Sequence, residues 1–304
     1  MQRMSETIPR YTLGRLQNLR KSVDRCVIDL CNSERVNTYE QKCLDILGIA
    51  SVHEALLYTN DQRVGDLYNT IDGRALSIMK KHNTGQNWQM YSPSYISGKS
   101  FINLCKLRIG KLRTKENSSR GRDSDKKCRK CVRVNESLNH ILSSCHFTHF
   151  ARIQRHNKVA ELFIKACQDI GTCVLEEPYL VVNEQLHKPD LIVIHTNTAT
   201  IIDFSIVTEH QQMRHQARPT TIEDQWLVKR NKYDTPAIND HVKHMTTTDT
   251  VHHGAIIISV RGIWCKSNDQ VFKDIGVPLK IRELMVVRAM EYSVRVWNTF
   301  MREA

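Results

Sequence analysis

Residues 187–207, HKPDLIVIHTNTATIIDFSIV, predict the centre of the fold. Two apolar runs flank a short polar segment, a pattern typical of two buried strands joined by a turn. Asp190 begins the first run and Asp203 lies within the second. The two positions are equally far from the Thr196–Asn197 peptide, and Asn197 tolerates the positive φ of a tight turn. We therefore expect an antiparallel hairpin in which Asp190 and Asp203 are directly opposed.

Two opposed carboxylates create an electrostatic conflict that suggests a metal site. Opposed residues of a hairpin have Cβ atoms about 4.5–5.5 Å apart, so Asp190 and Asp203 would repel each other. A divalent cation removes the repulsion, and a small cluster of carboxylate oxygens suits Mg²⁺ or Mn²⁺. Such an ion activates water and stabilises charge on a phosphodiester. The alternative is that both aspartates are solvated residues at strand ends.

A helix expected after these strands carries basic residues on one face. Lys229, Lys232 and Tyr233 lie at i, i+3 and i+4 in this part of the chain. A lysine directed at the metal site orients an attacking water or holds the scissile phosphate. The sequence does not choose between Lys229 and Lys232, and the alternative is an exposed basic helix face.

A second motif has the spacing C-x2-C-x8-H-x4-C. Its residues are Cys128, Cys131, His140 and Cys145. Thiolates and imidazole suit tetrahedral zinc, and four protein ligands make a closed, structural site that stabilises a unit too small for its own core. His146 and His149 are nearby alternatives for the fourth ligand, and the competing interpretation is a set of buried thiols beside an unrelated histidine.

Charge is concentrated just before this motif. The 304-residue chain has a net charge of +12, and the window from Lys106 to Arg133 contains twelve Lys/Arg against three Asp/Glu. The window is either a solvated loop or a segment that contacts phosphates. No run of eighteen apolar residues occurs, and the first residues lack an apolar signal segment. We therefore expect an intracellular protein whose ten cysteines are reduced.

The order of elements predicts an α/β (α+β) fold. Apolar residues have helical spacing over much of residues 10–90, and a basic helix is expected over 101–115. A long amphipathic helix follows Cys145 and closes at Gly171. Strand patterns then occupy 173–182, 191–195, 200–207 and 254–264, with a helix before Pro236. A long helix that begins at Pro278 follows the last strand.

The acidic pair and the helical lysines resemble the active site of the PD-(D/E)xK nucleases, although Ser205 stands where the simple motif has its lysine. Several stretches together look like the C-terminal region of a non-LTR retrotransposon polyprotein, of the R-two type that inserts into large ribosomal RNA genes. They are LRIGKLRTKENSSRGR, CRKCVRVNESLNHILSSCHFTHFARIQRHN, KPDLIVIH, IIDFSIV and KRNKY. The resemblance is specific from about residue 100 to residue 265 and faint before it.

This resemblance implies target-primed reverse transcription, in which an endonuclease nicks chromosomal DNA and a polymerase extends the new 3′ end on element RNA. It implies catalytic roles for Asp190, Asp203, Lys229, Lys232 and Tyr233, with Mg²⁺ or Mn²⁺ on the aspartates and structural zinc in the knuckle. Nucleic-acid contacts are expected at Arg113, Arg120, Arg122, Lys130, Arg152, Arg155 and His156. The chain lacks a Tyr/Phe-x-Asp-Asp motif, so we expect the polymerase in an upstream domain.

The resemblance also implies an organisation and a set of partners. The expected regions are a helical linker at 1–93, a basic linker at 94–127, a zinc knuckle at 128–150, a restriction-endonuclease-like mixed sheet flanked by helices at 151–275, and a final helix at 276–304. The expected partners are target DNA, element RNA and the upstream reverse transcriptase domain, with no membrane, and the expected place of action is the nucleus.

Two alternatives to a nuclease stay open. The basic window and the knuckle would suffice for a nucleic-acid-binding module without catalysis, and Ser205 at the motif's lysine position favours it. The second alternative is a scaffold in a larger ribonucleoprotein, in which a nuclease-like fold remains without its chemistry.

Overall fold

The computed structural model describes residues 62–70, 73–82, 96–209 and 221–302. The chain divides into two compact units, Met1–Arg74 and Ala75–Ala304. Much of the helical region predicted over residues 10–90 lies outside the described residues. In the first unit, residues 62–69 are helical. The elements that concern function all belong to the second unit, which includes the predicted knuckle, the sheet and the final helix. The domain limits expected from the sequence stay predictions.

Nine helices are named among the described residues. They are α1 Arg74–His82, α2 Gly98–Arg108, α3 Lys115–Ser118, α4 Leu138–Ser143, α5 His149–Asp169, α6 Ile222–Asn231, α7 Pro236–Thr246, α8 Asn268–Ile275 and α9 Lys280–Arg302. A single 3₁₀ turn, His146–Thr148, connects α4 to α5. The long helices predicted after Cys145 and at the end of the sequence are confirmed. Gly171, with φ of 81°, follows α5 as expected.

Six strands form two sheets. They are β1 Cys173–Glu176, β2 Leu180–Val182, β3 Gln185–His187, β4 Leu191–His195, β5 Thr198–Val207 and β6 Thr250–Ser259. The main sheet has the order β1-β4-β5-β6, in which only the β5–β6 pair is parallel. Strands β2 and β3 form a separate antiparallel hairpin. The predicted α/β (α+β) class, with a mixed sheet flanked by helices, is confirmed.

The hairpin of β4 and β5 has the predicted register. Leu191 pairs with Ile202 and His195 with Thr198, so Asp190 and Asp203 continue the ladder as opposed residues. The positive φ of the turn lies at Thr196, at 52°, and not at the expected Asn197. Asn197 instead accepts a hydrogen bond from the Asp249 N–H at 3.1 Å, which ties the turn to the start of β6.

The main sheet is covered on both faces. On one face α5, α8 and α9 pack against alternate strand residues, which are Leu191, Val193, Ile202, Phe204, Ile256 and Ile258. On the other face, Ile192 and Ile201 pack against Tyr233 and the α7 residues Ile238 and Val242. Strand residues alternate between faces. Asp203 therefore lies on the same face as Ile201, the face against which Tyr233 and α7 pack.

Several local predictions differ from the structure. The strand expected over 254–264 lies instead at Thr250–Ser259. The strand expected over 173–182 breaks into β1 and β2, because Glu177 adopts a φ of 45° and Pro178 follows it. The basic helix predicted over 101–115 is shifted to Gly98–Arg108, and Gly110 has a φ of 68° just after its end. Helices α7 and α8 were not predicted; Pro236 stops α6 as expected but also occupies the first turn of α7.

Across the described ranges, no helix is both long enough and apolar enough to cross a bilayer.

Candidate active site and metal centre

The three cysteines and the histidine of the C-x2-C-x8-H-x4-C motif come together. The ligand atoms of Cys128, Cys131, His140 and Cys145 all lie within 4.8 Å of one another. The Cys128 and Cys145 sulfurs are 4.0 Å apart, and the Cys131 sulfur is 3.3 Å from Nε2 of His140. Zn–S bonds of about 2.3 Å in a tetrahedron place sulfurs just under 4 Å apart. The group can therefore hold a metal ion such as zinc.

The local structure explains why these side chains converge. The Ser137 hydroxyl accepts a hydrogen bond from the His140 N–H at 3.1 Å and caps α4, which delivers His140. The Ser144 hydroxyl lies 3.1 Å from Nδ1 of His140, so Nε2 is the ring nitrogen that faces the sulfurs. The buried Glu136 carboxylate accepts hydrogen bonds from the backbone N–H groups of Lys115 and Arg129 and from the Arg129 guanidinium.

The knuckle is packed onto long helices of the same unit. Phe300 of α9 is fully buried against Cys128, Ile141 and Cys145. The ring of Phe147 meets the ring of Phe300 edge to face, with centroids 6.2 Å apart. The Cys/His cluster is thus covered by the last turns of α9.

Two arginines expected to bind nucleic acid donate hydrogen bonds to backbone carbonyls of the knuckle, and the role expected for Arg152 stays a prediction. Arg152 donates to the carbonyl oxygens of Ser143 and Cys145 at 2.6 and 3.3 Å. Arg155 is 3% exposed and donates to the Leu142 carbonyl and the Ser293 hydroxyl, both at 3.1 Å. Burial, with a smaller effect of Arg152, lowers the pKa of Arg155 to about 9. A nucleic-acid contact at Arg155 is incompatible with its burial.

The four other basic residues predicted to contact nucleic acid lie at or near the surface. Arg113, Arg120 and Arg122 are exposed, and Lys130 is half-buried with its ammonium 4.4 Å from the centroid of the Phe147 ring. The role expected for these four residues stays a prediction.

Asp203 is the buried carboxylate of the candidate active site. It is 2% exposed, and its Oδ2 accepts hydrogen bonds from Nζ of Lys229 at 2.9 Å and from Nζ of Lys232 at 3.3 Å. Burying a carboxylate is costly unless cations or donors compensate it. Lys229 lies in the last turn of α6, and Lys232 is the first residue after this helix.

Asp190 lies beside this group and has different partners. Its Oδ2 accepts a hydrogen bond from the Phe204 N–H at 2.6 Å and lies 3.2 Å from Nε2 of His156. Burial acts to raise the pKa of Asp190, but the hydrogen bond and charge of His156, the Phe204 N–H and the charge of Lys229 outweigh it, so the net shift is downward. Asp190 is therefore held as a carboxylate.

His156 was expected to contact nucleic acid and is found at the acidic pair. Burial acts to lower the pKa of His156, whereas the hydrogen bond and charge of Asp190 act to raise it and prevail. No sequence pattern links His156 to Asp190, because the contact depends on how α5 packs across the sheet.

Tyr233 is a core residue whose hydroxyl group reaches the candidate active site. It is 2% exposed and packs against Ile192 and Ile201. Its hydroxyl donates to the carbonyl oxygen of Lys188 at 2.8 Å, and burial followed by the charges of Asp203 and Asp190 raises its pKa. Tyr233 thus fixes the backbone two residues before Asp190.

Among curated proteins, matches are found to retrotransposon polyproteins. The chain is 30% identical over 201 residues to the Retrovirus-related Pol polyprotein from type-2 retrotransposable element R2DM of Drosophila melanogaster, covering 65% of this chain and 18% of that protein. It is 28% identical over 274 residues to the corresponding type-1 R2 polyprotein of Nasonia vitripennis, covering 86% and 26%. A type-1 R2 polyprotein of Popillia japonica is 24% identical over 304 residues, covering 98% and 40%.

The chain is a homologue of R2 retrotransposon Pol polyproteins. The resemblance to R2-type retrotransposon polyproteins is thereby confirmed. R2 Pol polyproteins are enzymes, and this chain spans 18–40% of the length of these three R2 relatives. No family model matches the chain.

Proposed function

We propose that this chain contains the metal-dependent DNA endonuclease of an R2-type polyprotein, which nicks chromosomal DNA within a ribosomal RNA gene. The observation that carries the proposal is the grouping of two opposed carboxylates, Asp190 and Asp203, with the ammonium groups of Lys229 and Lys232. An acidic pair beside a lysine suits phosphodiester hydrolysis, because the acids hold a cation and the lysine neutralises developing negative charge.

The residues present fit a hard divalent cation. Asp190 is held as a carboxylate. The Phe204 N–H donates to Oδ2 of Asp190, and Lys229 and Lys232 donate to Oδ2 of Asp203. Asp190 and Asp203 would hold Mg²⁺ or Mn²⁺, which supplies Lewis-acid activation of water and charge stabilisation when bound. This fit supports the proposal.

The chain's own residues then have distinct tasks. Lys229 neutralises negative charge at the scissile phosphate, and Lys232 contributes from a more exposed position. His156 orients the Asp190 carboxylate, and Tyr233 holds the backbone that carries it. A water oxygen attacks phosphorus and the bond from phosphorus to the 3′ oxygen breaks, which leaves a 5′-phosphate and a 3′-hydroxyl.

The 3′-hydroxyl is the end that a polymerase extends. We propose that this end primes reverse transcription of element RNA by a polymerase domain of the parent polyprotein, and that the reaction takes place in the nucleus, where chromosomal DNA lies. Zinc at the Cys3His cluster would be structural, since four protein ligands leave no open position for substrate.

Nicking of supercoiled plasmid in Mg²⁺ at low salt tests the proposal. The parent protein is expected to convert supercoiled plasmid to open circles, and Asp203→Asn to lose at least about 100-fold of this rate, because a charged ligand is replaced by a neutral amide of similar shape. Asp234→Asn is the matched control, since Asp234 is an exposed aspartate three residues beyond the end of α6. Equal nicking by the parent and Asp203→Asn would contradict the proposed site.

A binding module without catalysis is the second candidate function. It is favoured by one observation: the position two residues after Asp203 carries Ser205, where the simple nuclease motif has a lysine. Plasmid binding without nicking in both Mg²⁺ and Mn²⁺, by a protein that contains stoichiometric zinc, would favour this candidate over the nuclease.

A further inference from the structure

A polar groove lies between α2, α5 and α9, and it includes none of the residues assigned to the nuclease. Its volume is about 490 Å³. Residues that line it include Lys99 and Asn103 of α2, Gln154 of α5, and Glu291, Arg295 and Arg302 of α9. On α9, positions 291, 295 and 302 lie on one stripe of the helix, so the groove follows the α9 axis.

The charge of this groove suits phosphate groups. The lining contains three cations, Lys99, Arg295 and Arg302, and one acid, Glu291. The amides of Asn103 and Gln154 add neutral donors. Within the described ranges, Lys99, Arg295 and Arg302 form no ion pair with a carboxylate. The guanidinium of Arg295 lies 4.3 Å from the centroid of the Tyr292 ring, which restricts its orientation. Cations without acidic partners in a concave surface are available to an external polyanion.

An exposed aromatic ring lies one helical turn from the groove, on the side nearer the knuckle. Phe150 is 70% exposed and lies one turn before Gln154 on the same face of α5. Helices α5 and α9 run antiparallel, because Arg155 bonds Ser293 whereas Phe147 meets Phe300. Phe150 is therefore level with α9 between Ser293 and Phe300, and Arg302 follows Phe300 within one turn.

Cations in a groove beside an exposed aromatic ring are typical of sites that bind single-stranded nucleic acid. The cations follow the phosphate backbone, and the ring stacks on a base whose face is free only in a single strand. Packed helices lie about 8–10 Å apart from axis to axis. A groove over a seam of this width is on the scale of a single strand.

We propose that this groove binds single-stranded nucleic acid, with phosphates on Lys99, Arg295 and Arg302 and a base stacked on Phe150. The proposal goes beyond nicking, because it concerns a strand that is held and not cut. Either a DNA strand released at the nick or an RNA strand has the required chemistry.

Fluorescence anisotropy with labelled single strands of thymidine DNA and uridine RNA tests this proposal on the full chain. Measurements are made without added Mg²⁺ or Mn²⁺, so the outcome does not depend on nicking activity. Arg295→Ala/Arg302→Ala is expected to weaken binding at least about tenfold and to make the salt dependence less steep by about 1.4, since each phosphate contact on a single strand contributes about 0.7 to the slope.

Phe150→Ala gives an independent signature. Loss of a stacked base weakens binding by about fivefold or more and leaves the salt slope unchanged, because no charge is removed. Glu291→Gln, which removes the acid that lines the groove beside these cations, is expected to tighten binding.

Lys165→Ala/Lys273→Ala is the control matched in charge, because both lysines are exposed and neither lines the groove. The proposal is supported if the groove variants lose binding and the control does not. The labelled strand whose binding is lost, DNA or RNA, is then the strand that the groove binds. The proposal is overturned if the control weakens binding as much as Arg295→Ala/Arg302→Ala, or if a duplex of equal length binds the parent as tightly as the single strand.

Discussion

The Oδ2 atom of Asp203 accepts hydrogen bonds from both candidate lysines, which are not equivalent. Lys229 is the closer donor, at 2.9 Å against 3.3 Å, and its side chain is 31% exposed against 47% for Lys232. An ammonium group with less water around it interacts more strongly with a charge that develops nearby. The structure thus ranks two residues that the sequence left equivalent.

This ranking predicts the kinetic effect of removing each lysine. Lys229→Ala is expected to reduce the single-turnover nicking rate by about 100-fold or more, the range for loss of one strong electrostatic contact in an active site. Lys232→Ala is expected to cost about tenfold or less. Both variants are compared with the parent at saturating Mg²⁺ and equal plasmid concentration. A larger loss in Lys232→Ala would reverse the assignment.

At the residue scale, the sequence predicts those contacts that local geometry determines. The opposition of Asp190 and Asp203 comes from their symmetry about a two-residue turn, and the register confirms it. His156 could not be placed in the same way, because it lies 34 positions from Asp190 and meets it only through the packing of α5. Likewise, the burial of Arg155 depends on α9, which its own sequence neighbours do not indicate.

At the element scale, long periodic segments were predictable and short ones were not. Helices α5 and α9 extend over 21 and 23 residues, which is long enough for helical periodicity to be clear. Strand β3 has three residues and α8 has eight, and neither length gives a reliable periodic signal. Helix α7 was missed because a proline was interpreted only as the end of α6.

The connection from β6 to α8 contains a glycine that two physical effects require. Gly262 has a φ of 83°, and a Cβ added there would lie 2.7 Å from the Met290 sulfur and 3.1 Å from Cγ1 of Val286. Gly171 has a similar φ of 81° with open space around it. Alanine substitutions at the two glycines can therefore distinguish the cost of backbone strain from the cost of steric overlap.

Gly171→Ala is expected to lower the free energy of unfolding by about 1 kcal/mol, because only the backbone conformation is disfavoured. Gly262→Ala is expected to lower it by about 3 kcal/mol, because overpacking against α9 adds to the strain. Urea denaturation of both variants measures the difference. Equal losses would mean that Met290 and Val286 move aside at little cost.

On the scale of the whole molecule, the knuckle is integrated with the main sheet through long helices. Phe300 of α9 closes the Cys/His cluster, and Arg155 of α5 links Leu142 of the knuckle to Ser293 of α9. The same helices cover one face of the main sheet. We therefore expect that loss of a metal ion from the knuckle lowers the stability of the whole second unit.

Zinc removal tests this integration. The parent is expected to contain one zinc per chain, and Cys145→Ser to contain none and to unfold at a lower temperature. A loss of about 3 kcal/mol corresponds to a fall in Tm of about 6–12 °C for a unit of this size. His146→Ala is the control, because the clustered ligand is His140 and His146 is exposed. Zinc loss in His146→Ala instead of His140→Ala would change the ligand set.

The burial of Phe300 against the cysteine cluster also determines when, during synthesis, the knuckle can complete its packing. Cys128 emerges from the ribosome long before Phe300, and α2 contacts α9 across nearly 200 positions of sequence. Contacts between such distant segments form late in folding. The knuckle thus acquires its cover only after residue 300 has been synthesised, and until then its thiols and the apolar side chains around them have to be protected from wrong partners by other means.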